Sequence, residues 1–450
     1  MHAPDIVHAD HAEGPVRLDG SQILFLIVIV LLLTVDGVDM QILSVTVSAI
    51  SEQWGLPLSA FGMAMAAGHL GAAIGATAGG MLADRIGRRT TILLGVLWFS
   101  LFTLATLMAR TTGEIAFARL VAGLGLGGCL PPALALVSET LPARLRAVGV
   151  SLCILANPLG IAAAGGCAAL AIPRFGWESM YILFGLIPLL IAVIGYFGLP
   201  ESPAFLARAA ERQGGGGASA SSQPAKATPR ALFKGEHRRL TISIFIAFFS
   251  AYLALTLVLN WMPSLLKSGG FSVEIASSAL STFSLAGIAA TLHAGLLMSA
   301  HDTRRVAMGF TAGAILMVMT IVVALPTSPA SVEASGGYIF FYGIIAAAGF
   351  MFNGAMTSLY AHAAGSFDPA VRATGVGFSA TCGRVGAIVG AFIGARVFEM
   401  FGTSTFFMLM MGMIALTFIA LFLSGGAALA RTPASKARPE RMTPSIQDRR

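Results

Sequence analysis

The sequence predicts an all-α integral membrane protein: twelve transmembrane helices in two six-helix bundles, with both termini on the cytoplasmic side. Three observations carry this. Of the 450 residues 56% are hydrophobic and only 11% charged, with a mean hydropathy of +0.81. A soluble domain carries roughly 25% charged residues. Apolar runs of about 20 residues, each long enough to cross a hydrocarbon core as a helix, recur between short polar breaks. The basic residues concentrate in alternate breaks, as positive-inside topology requires.

The apolar runs fall at 21–49, 59–82, 90–109, 114–139, 147–172, 178–199, 240–265, 273–298, 306–326, 335–361, 373–399 and 404–430. With the N-terminus inside, 22 of the 28 Lys and Arg lie on cytoplasmic segments. These are Arg17, the loops at 83–90, 143–146, 200–239 and 303–305, Arg372, and the tail after 430. Only Arg110, Arg174 and Lys267 fall outside, while Arg119, Arg384 and Arg396 lie within spans. The net charge of +7 is therefore read as topology, which excludes a nucleic-acid footprint.

Residues 1–20 form a cytoplasmic tail with Asp5, Asp10, Glu13 and Asp19 but no basic n-region. A cleavable signal peptide is disfavoured, so the first span is expected to stay as a helix. Residues 21–199 form the first bundle, 200–239 a linker, 240–430 the second bundle and 431–450 a C-terminal tail. The linker contains "QGGGGASASSQPAKATP", a composition that suits a flexible tether. Two similar halves about a cytoplasmic linker suggest a transporter that rocks one bundle against the other. Cys129, Cys153, Cys167 and Cys382 all fall in apolar segments and none belongs to a CxxC pair. They read as small hydrophobes, not as a disulfide framework or metal site. With no nucleophile–base pair either, the chain is not read as an enzyme, and no cofactor is expected.

Residues 79–89 read "GGMLADRIGRR". The spacing of Gly80, Asp84, Arg85, Gly87, Arg88 and Arg89 resembles the signature loop between helices 2 and 3 of the major facilitator superfamily. The equivalent place in the second half, "GLLMSAHDTRR" at 295–305, keeps only Gly295, Asp302, Arg304 and Arg305. Within that superfamily the chain resembles the aromatic acid:proton symporters, the 4-hydroxybenzoate/protocatechuate-type transporters. The stretches are "DGVDMQ" at 36–41, "FARLVAGLGLGGCLPPALALVSE" at 117–139, "LPESPAFL" at 199–206, "NWMPSLL" at 260–266 and "GRVGAIVGAFIG" at 383–394. The resemblance implies import of a small aromatic carboxylate with protons by alternating access. It implies a monomer in a bacterial inner membrane, driven by the proton gradient alone. Val38 and Met40, where the family pattern has an aromatic and a leucine, and His69 in the second span depart from it.

The intramembrane charges are the candidate site. Asp36 and Asp39 are three apart and share a helix face. By helical rise they lie about 20 and 24 Å beyond Ile23, and Arg119 lies about 9 Å past Gly113 on the antiparallel fourth span. Asp39 and Arg119 thus have similar depth, and a contact is expected. One reading has the aspartates facing a water-filled cavity, with at least one carrying the coupling proton. The other has them as structural polar residues. Arg384, about 16 Å from Ala373, reads as a bidentate anchor for a substrate carboxylate, or as a structural pair. Trp261, Tyr252, Phe248, Phe352 and Tyr360 offer rings, and Asn353 and Asn157 offer amides for ring hydroxyls.

Asp84, Arg85, Arg88 and Arg89, with Glu139, Arg144 and Arg146, form a candidate cytoplasmic gate that latches an outward-facing state. Arg396 and Glu399 read as a surface pair or outer gate, and His69 and His293 as core histidines, with a proton relay as the alternative. "GLGLGG" at 123–128 sits mid-helix, where small residues let spans approach; it is not a nucleotide loop. Two other functions remain open: proton-driven export of a drug or metabolite on the same fold, and a non-transporting receptor.

Overall fold

The computed structural model describes residues 19–213, 232–233, 237–324, 329–334, 337–368 and 371–428. Residues 1–18 of the expected tail at 1–20, the whole of that at 431–450, and the Gly/Ser-rich part of the linker lie outside the described residues. The N-terminal half consists of α1 (Gly20–Trp54), α2 (Gly62–Ile86), α3 (Arg88–Ala105), α4 (Thr112–Thr140), α5 (Ala143–Phe175) and α6 (Glu178–Gly198). A short helix α7 (Pro203–Gln213) follows. The C-terminal half consists of α8 (His237–Ser268), α9 (Val273–Ala300), α10 (Thr303–Ala324), the single turn and a half of α11 (Pro329–Ala334), α12 (Gly337–Ser366) and α13 (Arg372–Ala428). Among the described residues, eleven helices are long and apolar enough to cross a membrane. The last, α13, is too long for one crossing and is broken at Gly402, whose φ of 83° and ψ of 170° are not helical.

Local chemistry starts and stops these helices. Asp19 caps α1 in a reciprocal box with Gln22, and Gly55 ends it in the left-handed conformation at φ 65°. The Thr111 hydroxyl accepts from the Glu114 amide at the start of α4, and Ser272 does the same for α9. The linker region is not wholly irregular. Ser202 caps α7 by accepting from the Phe205 amide at 3.1 Å, and "PAFLARAAERQ" is rich in strong helix formers.

In lipid the side chains facing outward are as apolar as those facing in. Leu31, Leu94, Ile154, Leu190, Met319 and Ile339 are all exposed on the protein surface, while Ile29, Phe99, Phe248 and Phe341 are buried. Helix association therefore depends on close packing. Gly71, Gly75 and Gly79 of α2 lie against Leu120, Leu124 and Gly128 of α4, and a Cβ on any of them would overlap the α4 backbone. Gly123 and Gly127 of α4 return the contact. Gly37 and Gly160 do the same between α1 and α5, and Gly386 and Gly390 between α13 and α8. Gly80, expected to permit close approach, has open space where its Cβ would be; Gly79, one residue earlier, faces α4.

Successive helices joined by short connections run antiparallel. The start of α1, α7 and the end of α13 thus share one face, and the α1–α2 and α8–α9 turns lie at the far face. The polar contacts joining the two halves cluster in the far half. Lys267 pairs with Glu52 at 2.7 Å, Ser48 bonds Ser264 at 3.0 Å, and the Ser59 amide donates to Glu399. Ser281 of α9 donates to the Ala162 carbonyl of α5 at 2.7 Å, where Gly165 brings the helices together. Glu399 thus joins a contact between halves, while Arg396 lies over the Phe392 ring. The structure is shut at the far face.

The glycine seam predicts a sharp contrast. Gly75→Ala is expected to destabilise the protein by about 1–3 kcal/mol through overpacking, whereas Gly80→Ala is neutral or slightly stabilising. Thermal unfolding of both variants in the same detergent reads the difference.

Candidate functional site

Asp39 is completely buried and its carboxylate is fully occupied. Arg119 Nη1 donates to Oδ1 at 3.1 Å, Nη2 to Oδ2 at 2.8 Å, and Nη2 also to the Asp39 carbonyl at 2.6 Å. The Thr103 hydroxyl of α3 adds a bond to Oδ1 at 2.7 Å. The side chains are 0% and 3% exposed, so the expected contact is present but does not look onto water. The physical reason is that Arg119 and Thr103 supply the hydrogen bonds that water would otherwise provide. Asp36 is half-buried one turn away and accepts from Asn157 Nδ2 at 3.4 Å. Asn157 reaches it because Gly37 lets α5 come close to α1. The two acids are near enough to interact electrostatically, yet one bonds to α3 and α4 and the other to α5.

Within about a turn and a half beyond Asp39, α1 meets a gap in α8. Pro263 has no N–H to donate to the Leu259 carbonyl four residues earlier. Gln41 Nε2 and Ser44 Oγ donate to that carbonyl instead, at 2.9 and 2.8 Å, and Ser44 also lies 2.8 Å from the Asn260 carbonyl. His69 of α2 meets the Asn260 side chain at 3.2 Å. Gln41, Ser44 and Asn260 were not singled out from the sequence. The available signal was a proline inside an apolar run, which orphans a carbonyl that some polar side chain must satisfy.

In the C-terminal half, Arg384 on α13 is half-buried and makes no hydrogen bond or ion pair among the described residues. Its charge acts on the phenols of Tyr252 and Tyr360, whose hydroxyls lie 2.7 Å apart. Phe248 packs edge-on to Tyr360 and stacks with Tyr252, completing an aromatic box. Gly383, adjacent to Arg384, leaves room for the Tyr252 ring against α13.

Trp261 departs from its expected role as a substrate ring. It is 1% exposed and wedged against Gly394 and Leu257, so in this state it has no surface to offer a ligand. Asn353 donates to the Gly349 carbonyl of its own helix at 2.9 Å and leans on Gly287 of α9. Phe352 lines an apolar cavity with Val258, Met262, Phe283, Phe406 and Met410, and no polar side chain there could orient a carboxylate.

The charges at the near face form a cluster within the N-terminal half. Gly87 turns α2 directly into α3 at φ 99°, and its missing side chain makes room for the Glu201 carboxylate. Glu201 accepts from the Arg88 and Arg89 amides at 2.8 and 3.2 Å, where the N-terminus of α3 favours an anion. Arg88 pairs with Glu139 at 2.8 Å and donates to Ser202, which itself donates to Glu139. Arg89 donates to the Tyr196 carbonyl and lies over its ring. Asp84 and Arg85 are exposed at the end of α2. Arg146 donates to the Leu141 carbonyl at 3.1 Å rather than joining the acids. Glu201 escaped the reading of individual charges, although its motif, "PESP", was noted.

Comparison with known proteins adds to this geometry. A family profile described as Major Facilitator Superfamily matches residues 29–347 and 244–447. The gallate transporter of Pseudomonas putida is 33% identical over 432 residues, covering 92% of this chain and 94% of its own. The 4-hydroxybenzoate transporter of Acinetobacter baylyi is 30% identical over 401 residues, covering 84% and 85%. These relatives are membrane transporters, not enzymes. Among solved structures, the D-xylose-proton symporter superposes with a TM-score of 0.70 at 16% identity, over 89% of this chain and 97% of that one. A bacterial homologue of the human lysosomal transporter Spinster, in an inward-facing and occupied conformation, gives 0.70 at 15% identity over 92% and 98%.

Breaking the buried pair from one side leaves a charge without its partner. Asp39→Leu is expected to cost about 3–5 kcal/mol, and Asp39→Leu combined with Arg119→Leu to recover most of it. Unfolding curves for the two single variants and the double variant provide the check.

Proposed function

The chain belongs to the Major Facilitator Superfamily, and from that premise we propose that it imports a hydroxylated aromatic carboxylate with protons by alternating access. It is a multi-pass membrane transporter, not an enzyme. In the proposed arrangement α13 crosses twice, giving twelve crossings in two bundles. Both termini are then cytoplasmic, the far face is the outer one, and the shut far face corresponds to an inward-facing state. The site is the inner membrane of a bacterial cell, and the working unit is one chain driven by the proton gradient.

The observation that carries the substrate assignment is Arg384. A half-buried guanidinium at membrane depth, with no acid or acceptor bonded to it among the described residues, needs an anion. A carboxylate matches its fork in bidentate geometry. The Tyr252–Tyr360 hydroxyl pair beside it offers both a donor and an acceptor to a ring hydroxyl, and Phe248 supplies an apolar edge. The relatives that carry gallate and 4-hydroxybenzoate support the same class.

Protons are assigned to Asp36 and Asp39 together, with Arg119 holding Asp39 ionised until the coupling step. The near-face cluster of Arg88, Arg89, Glu139 and Glu201, with Asp84, Arg85 and Arg146 around it, braces the N-terminal bundle so that it moves as a unit. Surface charge pairs are individually weak, so this bracing is a network effect.

Membrane vesicles loaded with buffer, with an inward proton gradient and labelled gallate or 4-hydroxybenzoate outside, test the proposal. The expected result is accumulation that an uncoupler collapses. Asp36→Asn with Asp39→Asn is expected to abolish accumulation above equilibrium. Arg384→Lys is expected to raise the half-saturating concentration roughly tenfold to a hundredfold, as the loss of a charge-assisted bond of about 1.5–3 kcal/mol implies. Gradient-driven efflux instead of uptake would favour the export reading, and binding without net movement would favour a receptor. Tyr252→Phe is expected to narrow the preference for hydroxylated over unsubstituted benzoate, read by competition at fixed label.

A further inference from the structure

The C-terminal half encloses a cavity that the proposed function leaves unused. It lies where α8, α9, α10, α12 and the part of α13 after Gly402 converge, and every side chain lining it is apolar. Ala348 on its wall is about 18 Å along α12 from Tyr360, so the cavity stands toward the far face, apart from Arg384 and the two tyrosines. Its volume, taken over the centres of water-sized spheres, is about 70 Å³, whereas a single water needs about 10–15 Å³. That is room for roughly five waters or one ring the size of benzene. No lining side chain offers a water a hydrogen bond, and an apolar cavity of this kind stays dry and takes up apolar molecules instead.

The matching place in the N-terminal half is filled by polar side chains. There Thr103 of α3 and Arg119 of α4 bond Asp39 of α1, and Tyr181 of α6 meets Thr46 of α1 at 3.3 Å. Taken in the same order of helices, the C-terminal half presents Val258 of α8, Ile321 of α10, Ile345 of α12 and Phe406 of α13. Arg119 and Ile345 each lie about two turns into their helices. Phe283 and Phe352, with ring centroids 6.0 Å apart, and Phe406 offer edges and faces to an aromatic guest. Met262 and Met410 have unbranched side chains that adapt to its outline. A carboxylate or phenol would sit here without a hydrogen-bond partner, which its burial makes costly.

The cavity also spans the break in α8. Val258 precedes Pro263 and Leu266 follows it, and both line the space. Lys267, next to Leu266, pairs with Glu52 across the two halves at 2.7 Å. We propose that the cavity binds one small uncharged arene, of the class of benzene and toluene, and that the bound ring braces α8 across Pro263 and so holds the far face shut. Movement of the far segment of α8 away from the near one opens the cavity wall. The ring therefore binds the shut arrangement better and shifts the population toward it. The site is independent of the carboxylate assignment, and its test needs no transport.

The first test is thermal unfolding of the full chain in detergent with toluene as the probe. The unfolding midpoint is expected to rise saturably, by about 1–3 °C. Ala348→Leu and Val258→Phe each fill the cavity from its own wall and are expected to abolish that rise. Benzoate is expected to shift the parent and the filled variants alike, because it has no place in the cavity. Phenyl azide, an arene of similar size, locates the site with no substitution at all. Irradiated with the full chain in vesicles, it is expected to label peptides carrying Met262, Phe352 or Met410, and excess toluene is expected to suppress the adducts. The brace is read with the four native cysteines replaced by alanine and Glu52→Cys with Lys267→Cys introduced. Toluene is expected to raise the rate at which a bifunctional thiol reagent cross-links this pair severalfold, and to leave it unchanged in the Ala348→Leu background. Equal toluene shifts in the parent and both filled variants mean partition into the micelle only and overturn the site. So do adducts confined to lipid-facing residues such as Leu31 and Leu190. Binding at the site with an unchanged cross-linking rate overturns the brace.

Discussion

The ion pair between Asp39 and Arg119 is the constraint on which the N-terminal half is built. An unpaired charge at this depth would cost several kcal/mol, and two charges brought into contact with well-aimed hydrogen bonds avoid most of it. To make that contact, α1 must present Asp39 toward α3 and α4, where Thr103 and Arg119 wait. Once that rotation of α1 is fixed, Gln41 and Ser44 necessarily face α8 and Asp36 faces α5. One buried pair thereby sets which side chains meet the other half.

Glycines and a proline make that arrangement attainable. Arg119 can reach Asp39 because α4 packs backbone-to-backbone against α2 through Gly71, Gly75, Gly123 and Gly127. No larger residue would allow this separation. On the facing side, Pro263 opens a carbonyl on α8 that α1 closes. The same logic recurs at the near face, where Gly87 admits the Glu201 carboxylate to the amides that begin α3. In each case a residue without a side chain or without an N–H leaves space or a free carbonyl, and a neighbouring segment fills it.

Much of the fold was legible in the sequence because membrane crossing is governed by length and hydropathy, both of which are local. The apolar runs and the antiparallel depth match of Asp39 with Arg119 needed only a rise per residue. What stayed hidden depends on rotation and on partners distant in sequence. Asp39 read as facing water because depth says nothing about which neighbours surround it. Trp261 read as a pocket residue because position on α8 does not reveal that Gly394 of α13 receives the ring. Gln41, Ser44 and Glu201 are ordinary polar residues whose roles emerge only when Pro263 is seen to orphan the Leu259 carbonyl and Gly87 to make room at the first amides of α3. Conversely, α7 could have been read from Ser202 and the alanine-rich run that follows, had the linker not been judged by its Gly/Ser-rich portion.

The two halves handle charge in opposite ways, and this bears on stoichiometry under the proposed function. The deep charged side chains are two acids, Asp36 and Asp39, and two arginines, Arg119 and Arg384. Fully ionised, they sum to zero. A bound aromatic monoanion on Arg384 makes the sum negative, and a net charge carried through a shut, low-dielectric intermediate is costly. One proton on either aspartate restores neutrality, so under the proposed function solvation favours at least one proton with each monoanion. A carrier limited to that ratio moves no net charge and draws only on the pH difference. A second proton would add about 2.3 kcal/mol per 100 mV of membrane potential, at the expense of a positively charged intermediate. The pair is not symmetric: Asp39 is enclosed and fully bonded to Arg119 and Thr103, whereas Asp36 is half-buried and holds one long bond to Asn157, so under the proposed function a proton on Asp39, unlike one on Asp36, requires Arg119 to move.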